Sequence, residues 1–207
     1  MKSLNLVNVA NSVHIFKHTP YHTAEIAEEL GFPCFVKPNC GGSSIGISKV
    51  KTSDELQSAI DRAFEEDSQV LVEKFVKGRE FSCGLFCSKG KKIVLPITEI
   101  ISKKEFFDYE AKYTPGITNE VTPAQVEDRY RDLIQHTASQ LYDALNCAGI
   151  VRFDFILEEG TNALYFLEVN TVPGQSEGSI VPQQARAMGM TERELYSMVM
   201  GELRTKN

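Results

Sequence analysis

Two stretches of alternating apolar and polar residues in the second half of the sequence constrain the fold most strongly. The first runs from Ile150 to Leu157 and the second from Ala163 to Asn170, with the residues EEGTN between them. Alternation with a period of two is typical of a β-strand that buries one face, and a short glycine-containing connection between two such runs indicates a hairpin. We therefore predict an antiparallel hairpin centred near Thr161.

This hairpin would place Asp154 opposite Glu168, and Arg152 opposite Asn170. Because side chains alternate across a strand, all four polar residues project from one face. The opposite face would be the core, and it would consist of Val151, Phe153, Phe155, Tyr165, Leu167 and Val169.

The polar face predicts a magnesium site. Two facing carboxylates repel each other unless positive charge lies between them, and carboxylate and amide oxygens suit Mg²⁺ in phosphoryl-transfer sites. Arg152 would add a permanent charge that can bind phosphate or an oxyanion. The residues leave open a second interpretation, an exposed cluster in which Arg152 forms ordinary ion pairs with the acids.

The rest of the sequence predicts two units that combine helices with antiparallel strands, an α+β fold. Pro123 is expected at the start of a long helix with an apolar stripe that includes Leu133 and Leu145. The remaining predicted elements are a helix from His22 to Leu30, the strand CFVK, a strand at 47–50, a helix from Ser53 to about Asp67, a strand at 69–74, a hairpin turning at SKGK (88–91) and a final helix at 192–203.

A loop rich in glycine and serine follows the apolar strand that contains Lys37. Its backbone N–H groups and hydroxyls can approach phosphate closely, and Lys37 would supply positive charge. The loop is not a Walker A motif, because Ile47 stands where lysine is required and a strand-like segment follows. The pattern G-x-S-x-G also makes Ser44 a remote candidate for a hydrolase nucleophile, but that site needs a helix immediately afterwards.

Composition favours a globular protein with small-molecule partners. Hydrophobic residues make up 42% and charged residues 24%, and the net charge of -6 is spread along the chain, which argues against nucleic acid as a partner. The five cysteines are irregularly spaced and form no C-x-x-C pair, so we expect reduced thiols in the cytoplasm. No stretch is long and apolar enough to suggest a membrane span.

Five motifs, taken in order, resemble those of the ATP-grasp D-alanine–D-alanine ligases. They are Lys37-Pro with GSSIG (42–46), EKFVKGRE (73–80), DYEAKY (108–113), RFD (152–154) and EVNTVPG (168–174). The resemblance begins at about residue 10 and continues to the end of the chain. It implies two α+β subdomains, 10–77 and 78–207, with the nucleotide between them and a closing loop at about 103–122.

The resemblance implies that ATP phosphorylates the carboxylate of one D-alanine and that the amine of a second D-alanine attacks the acyl phosphate. The dipeptide would serve peptidoglycan precursor synthesis, with ATP and Mg²⁺, or Mn²⁺, as cofactors. The family has a further amino-terminal domain that we expect this chain to lack, so we expect weak or no activity from it alone. Two other functions remain open: a nucleotide-binding fragment without turnover, and another ATP-grasp carboxylate–amine ligase. A homodimer, formed through that domain or through other surfaces, also remains open.

The resemblance also implies individual roles. Arg152 and the Gly174 amide would stabilise the tetrahedral intermediate, while Ser43 and Tyr113 would position substrate. The residues implied for ATP binding are Lys37 and Lys112 at the phosphates, Glu73, Lys74, Phe75 and Val76 around adenine, and Glu80 at the ribose. The metal ligands would be Asp154, Glu168 and Asn170. The second D-alanine would be bound by Ser179 and Ile180.

Overall fold

The computed structural model describes residues 4–41, 45–102 and 118–203. The chain divides into two compact units, which we call the smaller and the larger unit. The smaller unit includes Ala10–Val76, and the larger unit combines Met1–Val9, Lys77–Ile101 and Asn119–Asn207. Both contain helices and antiparallel strands, so the predicted α+β class is confirmed.

The smaller unit is a four-stranded sheet in the order β2-β5-β3-β4, with two helices packed on one face. The predicted second helix is confirmed, but a capping box of Thr52 and Glu55 begins it, where we had expected Ser53 to do so. The elements are β2 (Ser12–Phe16), α1 (Thr23–Leu30), β3 (Cys34–Pro38), β4 (Ser48–Val50), α2 (Ser53–Glu66) and β5 (Gln69–Lys74).

The larger unit is a sheet in the order β1-β11-β10-β6-β8-β9, with β7 paired to β6. One face packs against α3, and part of the other packs against α4 and α5. The elements are β1 (Asn8–Val9), β6 (Gly78–Ser88), β7 (Lys91–Val94), β8 (Thr98–Ser102), β9 (Thr118–Val121), α3 (Asp128–Ala144), β10 (Val151–Glu158), β11 (Leu164–Asn170), α4 (Ile180–Ala187) and α5 (Glu192–Leu203).

The predicted turn at SKGK is confirmed as a two-residue connection between β6 and β7. Lys89 and Gly90 both have positive φ, 51° and 71°, as a type I′ turn requires. This turn matches the right-handed twist of the two strands that it joins.

The predicted start of the long helix at Pro123 is wrong, because α3 begins at Asp128. The preceding backbone is used elsewhere: the Ala124 N–H donates to the Ile97 carbonyl, and the Arg79 guanidinium donates to the Gln125 carbonyl. The predicted stripe is also partly wrong, since Leu133 and Leu145 are exposed. The buried residues of α3 are Ile134, Thr137, Ala138, Leu141 and Tyr142.

Candidate active site

The predicted register of the hairpin is confirmed where it matters for the site. Arg152 pairs with Asn170, and Asp154 pairs with Glu168. Because β10 also pairs with β6, Ser82 lies on the other side of Asp154. Backbone pairing thereby places these polar side chains on one face of adjacent strands.

A β-bulge follows Asp154 and corrects part of the predicted core. Phe155 pairs with Phe166, so Leu167 has no residue opposite it. The bulge turns Phe166 into the core, where its ring lies 6.3 Å from that of Phe155. Tyr165, which we had placed in the core, pairs with Ile156 on the same side as Asp154.

Asp154 is the centre of the polar face and is 4% exposed. Its Oδ1 accepts hydrogen bonds from Ser82 Oγ at 2.6 Å and from Arg152 Nε at 2.9 Å. Its Oδ2 accepts from Arg152 Nη2 at 2.9 Å and from Asn170 Nδ2 at 3.0 Å. A buried carboxylate needs such compensation, and here three neighbouring side chains supply it.

Arg152 is a permanent cation among carboxylates. Burial acts to lower the pKa of its guanidinium, but the nearby carboxylates outweigh that effect and raise the pKa overall. Asp154 contributes most to the increase, followed by Glu168 and Glu120. The ion pair of the second interpretation is thus present, and the face holds positive charge at any physiological pH.

The donor set fits a magnesium ion. Asn170 Nδ2 lies 3.0 Å from Asp154 Oδ2 and 3.1 Å from Glu168 Oε1, so the three side-chain heads converge. Reversal of the Asn170 amide would present its oxygen with the two carboxylates, and all-oxygen sets are what Mg²⁺ prefers. The described parts of the chain contain no group of three or more His, Cys, Asp or Glu residues that could hold a metal ion, so this site depends on the Asn170 amide as its third ligand.

Lys37 and Glu73 form an ion pair in the smaller unit, with Lys37 Nζ 2.6 Å from Glu73 Oε2. They lie on neighbouring strands, on the sheet face opposite the helices, because Val36 and Val72 point into the core. The ring of Phe75 contacts Phe35 edge-on, and Lys49 Nζ lies 4.1 Å from its centroid. Basic, acidic and aromatic groups are therefore assembled on the sheet face opposite the helices.

The glycine-serine loop is anchored at both ends. The Cys40 N–H donates to Asp67 Oδ2 at 2.7 Å, and this bond is the main reason that the pKa of Asp67 is lowered. At the far end Gly46 has a φ of +73°, and a Cβ there would lie 2.9 Å from side-chain atoms of Glu66 and Pro38. The chain then enters β4, so the helix that a Walker A motif or a hydrolase elbow requires does not follow.

The segment from Gly174 to Ile180 leads into α4. A Cβ at Gly174 would lie 2.8 Å from Ser179 Oγ, so a larger residue there would displace the Ser179 hydroxyl. Ser179 Oγ also lies 2.8 Å from Ser176 Oγ. The Gln183 amide donates to the Gly178 carbonyl and to Glu120, which fixes the segment to the sheet.

Of the other predicted residues, some lie within the described parts of the chain and some lie outside them. Glu80 precedes Ser82 by two positions on β6 and so shares its face, whereas Lys74 and Val76 lie at the end of β5 and just after it. Ser43, Lys112 and Tyr113 lie outside the described residues, as does Ser44.

Sequence reasoning missed the contributions of Ser82, Glu120 and Gln184. A signal for Ser82 was present, because Glu80 and Ser82 are polar positions spaced by two within an otherwise apolar run. Glu120 and Gln184 gave no such signal. Their roles follow from contacts with residues distant in the sequence, such as the bond from Gln184 to the Ser82 carbonyl.

The sequence matches a family model described as D-ala D-ala ligase C-terminus over residues 5–200. A D-alanine–D-alanine ligase of Phocaeicola vulgatus is 41% identical over 194 residues, which are 94% of this chain and 59% of the relative. One of Flavobacterium johnsoniae is 44% identical over 191 residues, or 92% and 58%. The chain thus spans about three fifths of the length of these curated relatives.

Solved structures agree with this match. The VanG D-Ala:D-Ser ligase from Enterococcus faecalis has a TM-score of 0.82 at 33% identity, covering 96% of this chain and 58% of that one. The D-alanine–D-alanine ligase from Bacillus anthracis complexed with ATP has a TM-score of 0.79 at 30% identity, covering 98% and 63%. No helix among the described residues could span a membrane. The chain belongs to the D-alanine–D-alanine ligase C-terminus family and has its α+β, ATP-grasp fold.

Proposed function

We propose that this chain carries the ATP- and magnesium-binding part of a ligase that joins two D-alanines. The observation that carries the proposal is the register of β10 and β11, which assembles Arg152, Asp154, Glu168 and Asn170 on one face. Supporting it is the similarity to a D-alanine–D-alanine ligase solved with ATP.

The proposed nucleotide contacts involve charged, aromatic and backbone groups. Lys37 leaves Glu73 to bind the phosphates, together with Lys112, and Glu80 accepts hydrogen bonds from the ribose hydroxyls. The segment Glu73–Val76 binds adenine, whose flat ring suits the face of Phe75 and whose edge suits backbone groups.

Asp154, Glu168 and Asn170 would hold Mg²⁺, with Mn²⁺ as a substitute, and the ion would neutralise phosphate charge. A carboxylate oxygen of the first D-alanine attacks the γ-phosphorus, and ADP leaves. The amine of the second D-alanine then attacks the acyl carbon, and phosphate leaves. Arg152 and the Gly174 amide donate to the oxyanion that forms, a contribution of about 3 kcal/mol per donor.

The remaining predicted residues handle substrate. Ser179 and Ile180 bind the carboxylate of the second D-alanine, while Ser43 and Tyr113 position substrate. Residues 10–77 and 78–207 act as the two ATP-grasp subdomains, and closure of the loop at about 103–122 excludes water from the acyl phosphate. The product serves peptidoglycan synthesis in the cytoplasm, and the whole ligase assembles as a homodimer.

A phosphate-release assay with ATP and Mg²⁺, run with and without D-alanine beside a thermal melt, tests the proposal. Release that depends on D-alanine identifies a working ligase. ATP-dependent stabilisation without release identifies a nucleotide-binding module that does not turn over by itself. Parallel reactions with D-serine test the related chemistry of the VanG ligase, and stabilisation by neither ATP nor its magnesium complex would refute the proposal.

A further inference from the structure

A continuous polar network lies beside Asp154 in the interior of the larger unit. It consists of Ser82, Thr98, Thr122 and Gln184, of which Ser82, Thr98 and Gln184 are fully buried. Backbone pairing sets Glu168, Asp154, Ser82 and Thr98 in one row across β11, β10, β6 and β8. The network therefore extends the row of proposed metal ligands into the protein.

Gln184 on α4 holds this network together. Its Nε2 donates to the Ser82 carbonyl at 2.9 Å and to Thr98 Oγ1 at 3.0 Å, while its Oε1 accepts from the Gly84 N–H at 2.9 Å. Because an N–H can only donate, the Gly84 contact identifies the end of the amide beside it as the oxygen. Both polar ends of Gln184 are thus used, and the orientation of the side chain is determined.

Gly84 is the position that admits this side chain. A Cβ on Gly84 would lie 2.6 Å from Gln184 Oε1 and 3.1 Å from a methyl carbon of Val181. Arg152, the proposed oxyanion-binding residue, pairs with Gly84 on the next strand. The packing of α4 against β6 thus depends on Gly84, which has no side chain and lies directly beside the polar face.

The network also reaches two other functional segments. Thr98 Oγ1 lies 2.7 Å from Thr122 Oγ1, at the end of the predicted closing loop. Gln184 lies on the helix that begins directly after Ser179. One set of buried hydrogen bonds thus connects Asp154, the proposed second D-alanine segment and the base of the predicted loop.

We infer that Ser82 and Gln184 are positioning residues for the metal site, an inference that rests on the proposed function. Ser82 orients the Asp154 carboxylate, and Gln184 holds the strand that carries Ser82. Arg152 and Asn170 also donate to Asp154, but they are longer and have more torsions. Ser82 has one rotatable side-chain bond on a strand paired on both sides, so it retains its place when ligands exchange on the carboxylate.

Within the described parts of the chain, every buried side-chain nitrogen and oxygen has a hydrogen-bond partner. The network is therefore complete in itself and offers no vacant group to a further ligand. Its effect on function must pass through the residues that it holds, which is the role of a positioning group.

Calorimetric titration of ATP, with Mg²⁺ and then with EDTA, tests the inference on the full chain. Ser82→Ala and Gln184→Met should each weaken ATP binding about tenfold in Mg²⁺ and leave it unchanged in EDTA, since losing a residue that orients a metal ligand has effects of this size. Ser82→Thr, which keeps the hydroxyl, should bind ATP in Mg²⁺ as tightly as the wild type does. Gln135→Met is the matched control, because Gln135 also donates to a backbone carbonyl of this unit but lies outside the network.

The ratio of the ATP affinity in Mg²⁺ to that in EDTA distinguishes an effect on the metal site from a general loss of stability. A lower melting temperature with an unchanged ratio in both variants would show that the network is merely structural and would overturn the inference. Wild-type protein whose affinity for ATP does not respond to Mg²⁺ would instead refute the proposed metal site, and the inference with it. Wild-type binding that responds to Mg²⁺, with a reduced ratio in Ser82→Ala, supports both.

Discussion

The polar face around Asp154 in the larger unit and the face of the smaller unit that carries Lys37 and Glu73 are held by different means. Asp154 is buried, and its donors come from its own strand and from the strands on either side. Lys37 and Glu73 are each about one-fifth exposed, and the ion pair joins them directly. The polar face around Asp154 is thus organised by its own hydrogen bonds, whereas Lys37 would have to leave its ion pair with Glu73 to bind phosphate as proposed.

The largest expected effect follows from Asp154→Asn, which keeps the shape and removes the charge. We expect ATP affinity in Mg²⁺ to fall to the value in EDTA, since a proposed ligand is lost. The free energy of unfolding should fall by about 3 kcal/mol, because Arg152 loses its closest buried partner. Calorimetry and urea unfolding measure the two effects.

Asp143→Asn serves as the control for that substitution, since Asp143 pairs with Lys92 at an exposed position. It should change neither quantity appreciably. If Asp154→Asn still binds ATP more tightly in Mg²⁺ than in EDTA, then Asp154 is not a metal ligand, and the two faces do not differ in this respect.

Gly46→Ala should destabilise the smaller unit by about 2 kcal/mol, through positive φ and crowding against Pro38 and Glu66. Gly90→Ala is matched in φ, at +71°, but its added Cβ would have no atom of the described residues within 4 Å. The cost of Gly90→Ala should be about 1 kcal/mol, from the strain of an L side chain at positive φ. Equal costs in thermal melts of the two variants would show that crowding does not shape the loop.

Lys37→Met should weaken ATP binding about tenfold, because one charge-assisted hydrogen bond to phosphate is lost. The loss should be equal in Mg²⁺ and in EDTA, in contrast to the selective loss in Asp154→Asn. Calorimetric titration in both buffers gives the comparison. Lys17→Met, which removes a bond to the Phe64 carbonyl on the same unit, is the control and should leave affinity unchanged. A loss confined to Mg²⁺ would mean that the two faces do not act separately.

The smallest expected effect concerns the pH dependence at Asp67. Because the pKa of this carboxyl is lowered on folding, its stabilising contribution is fully present above the unfolded pKa of about 4. The contribution is lost as pH falls through the lower, folded pKa. Asp67→Asn should therefore reduce the melting temperature slightly at pH 7, and the difference from wild type should shrink in acid. A difference that is constant from pH 7 to pH 2 would contradict this assignment.

Local patterns were sufficient wherever neighbours along the chain decide the conformation. The hairpin register from Arg152 to Asp154 and the SKGK turn follow from alternation and turn chemistry, and both are confirmed. The bulge after Asp154 was not predictable, since Tyr165 and Phe166 are both apolar enough for the core. The start of α3 was also missed, because Arg79 and Ile97 hold the preceding residues from elsewhere in the fold.

The sequence by itself determined the α+β class, the hairpin and the polar set around Asp154, because strand periodicity assigns each side chain to a face. Tertiary structure alone decided that Gln184 binds the strand that carries Ser82. Gln184 is separated from Ser82 by 102 positions and from Gly84 by 100. No local pattern can specify such a contact, because it exists only once α4 packs on β6 and the buried polar groups must find partners.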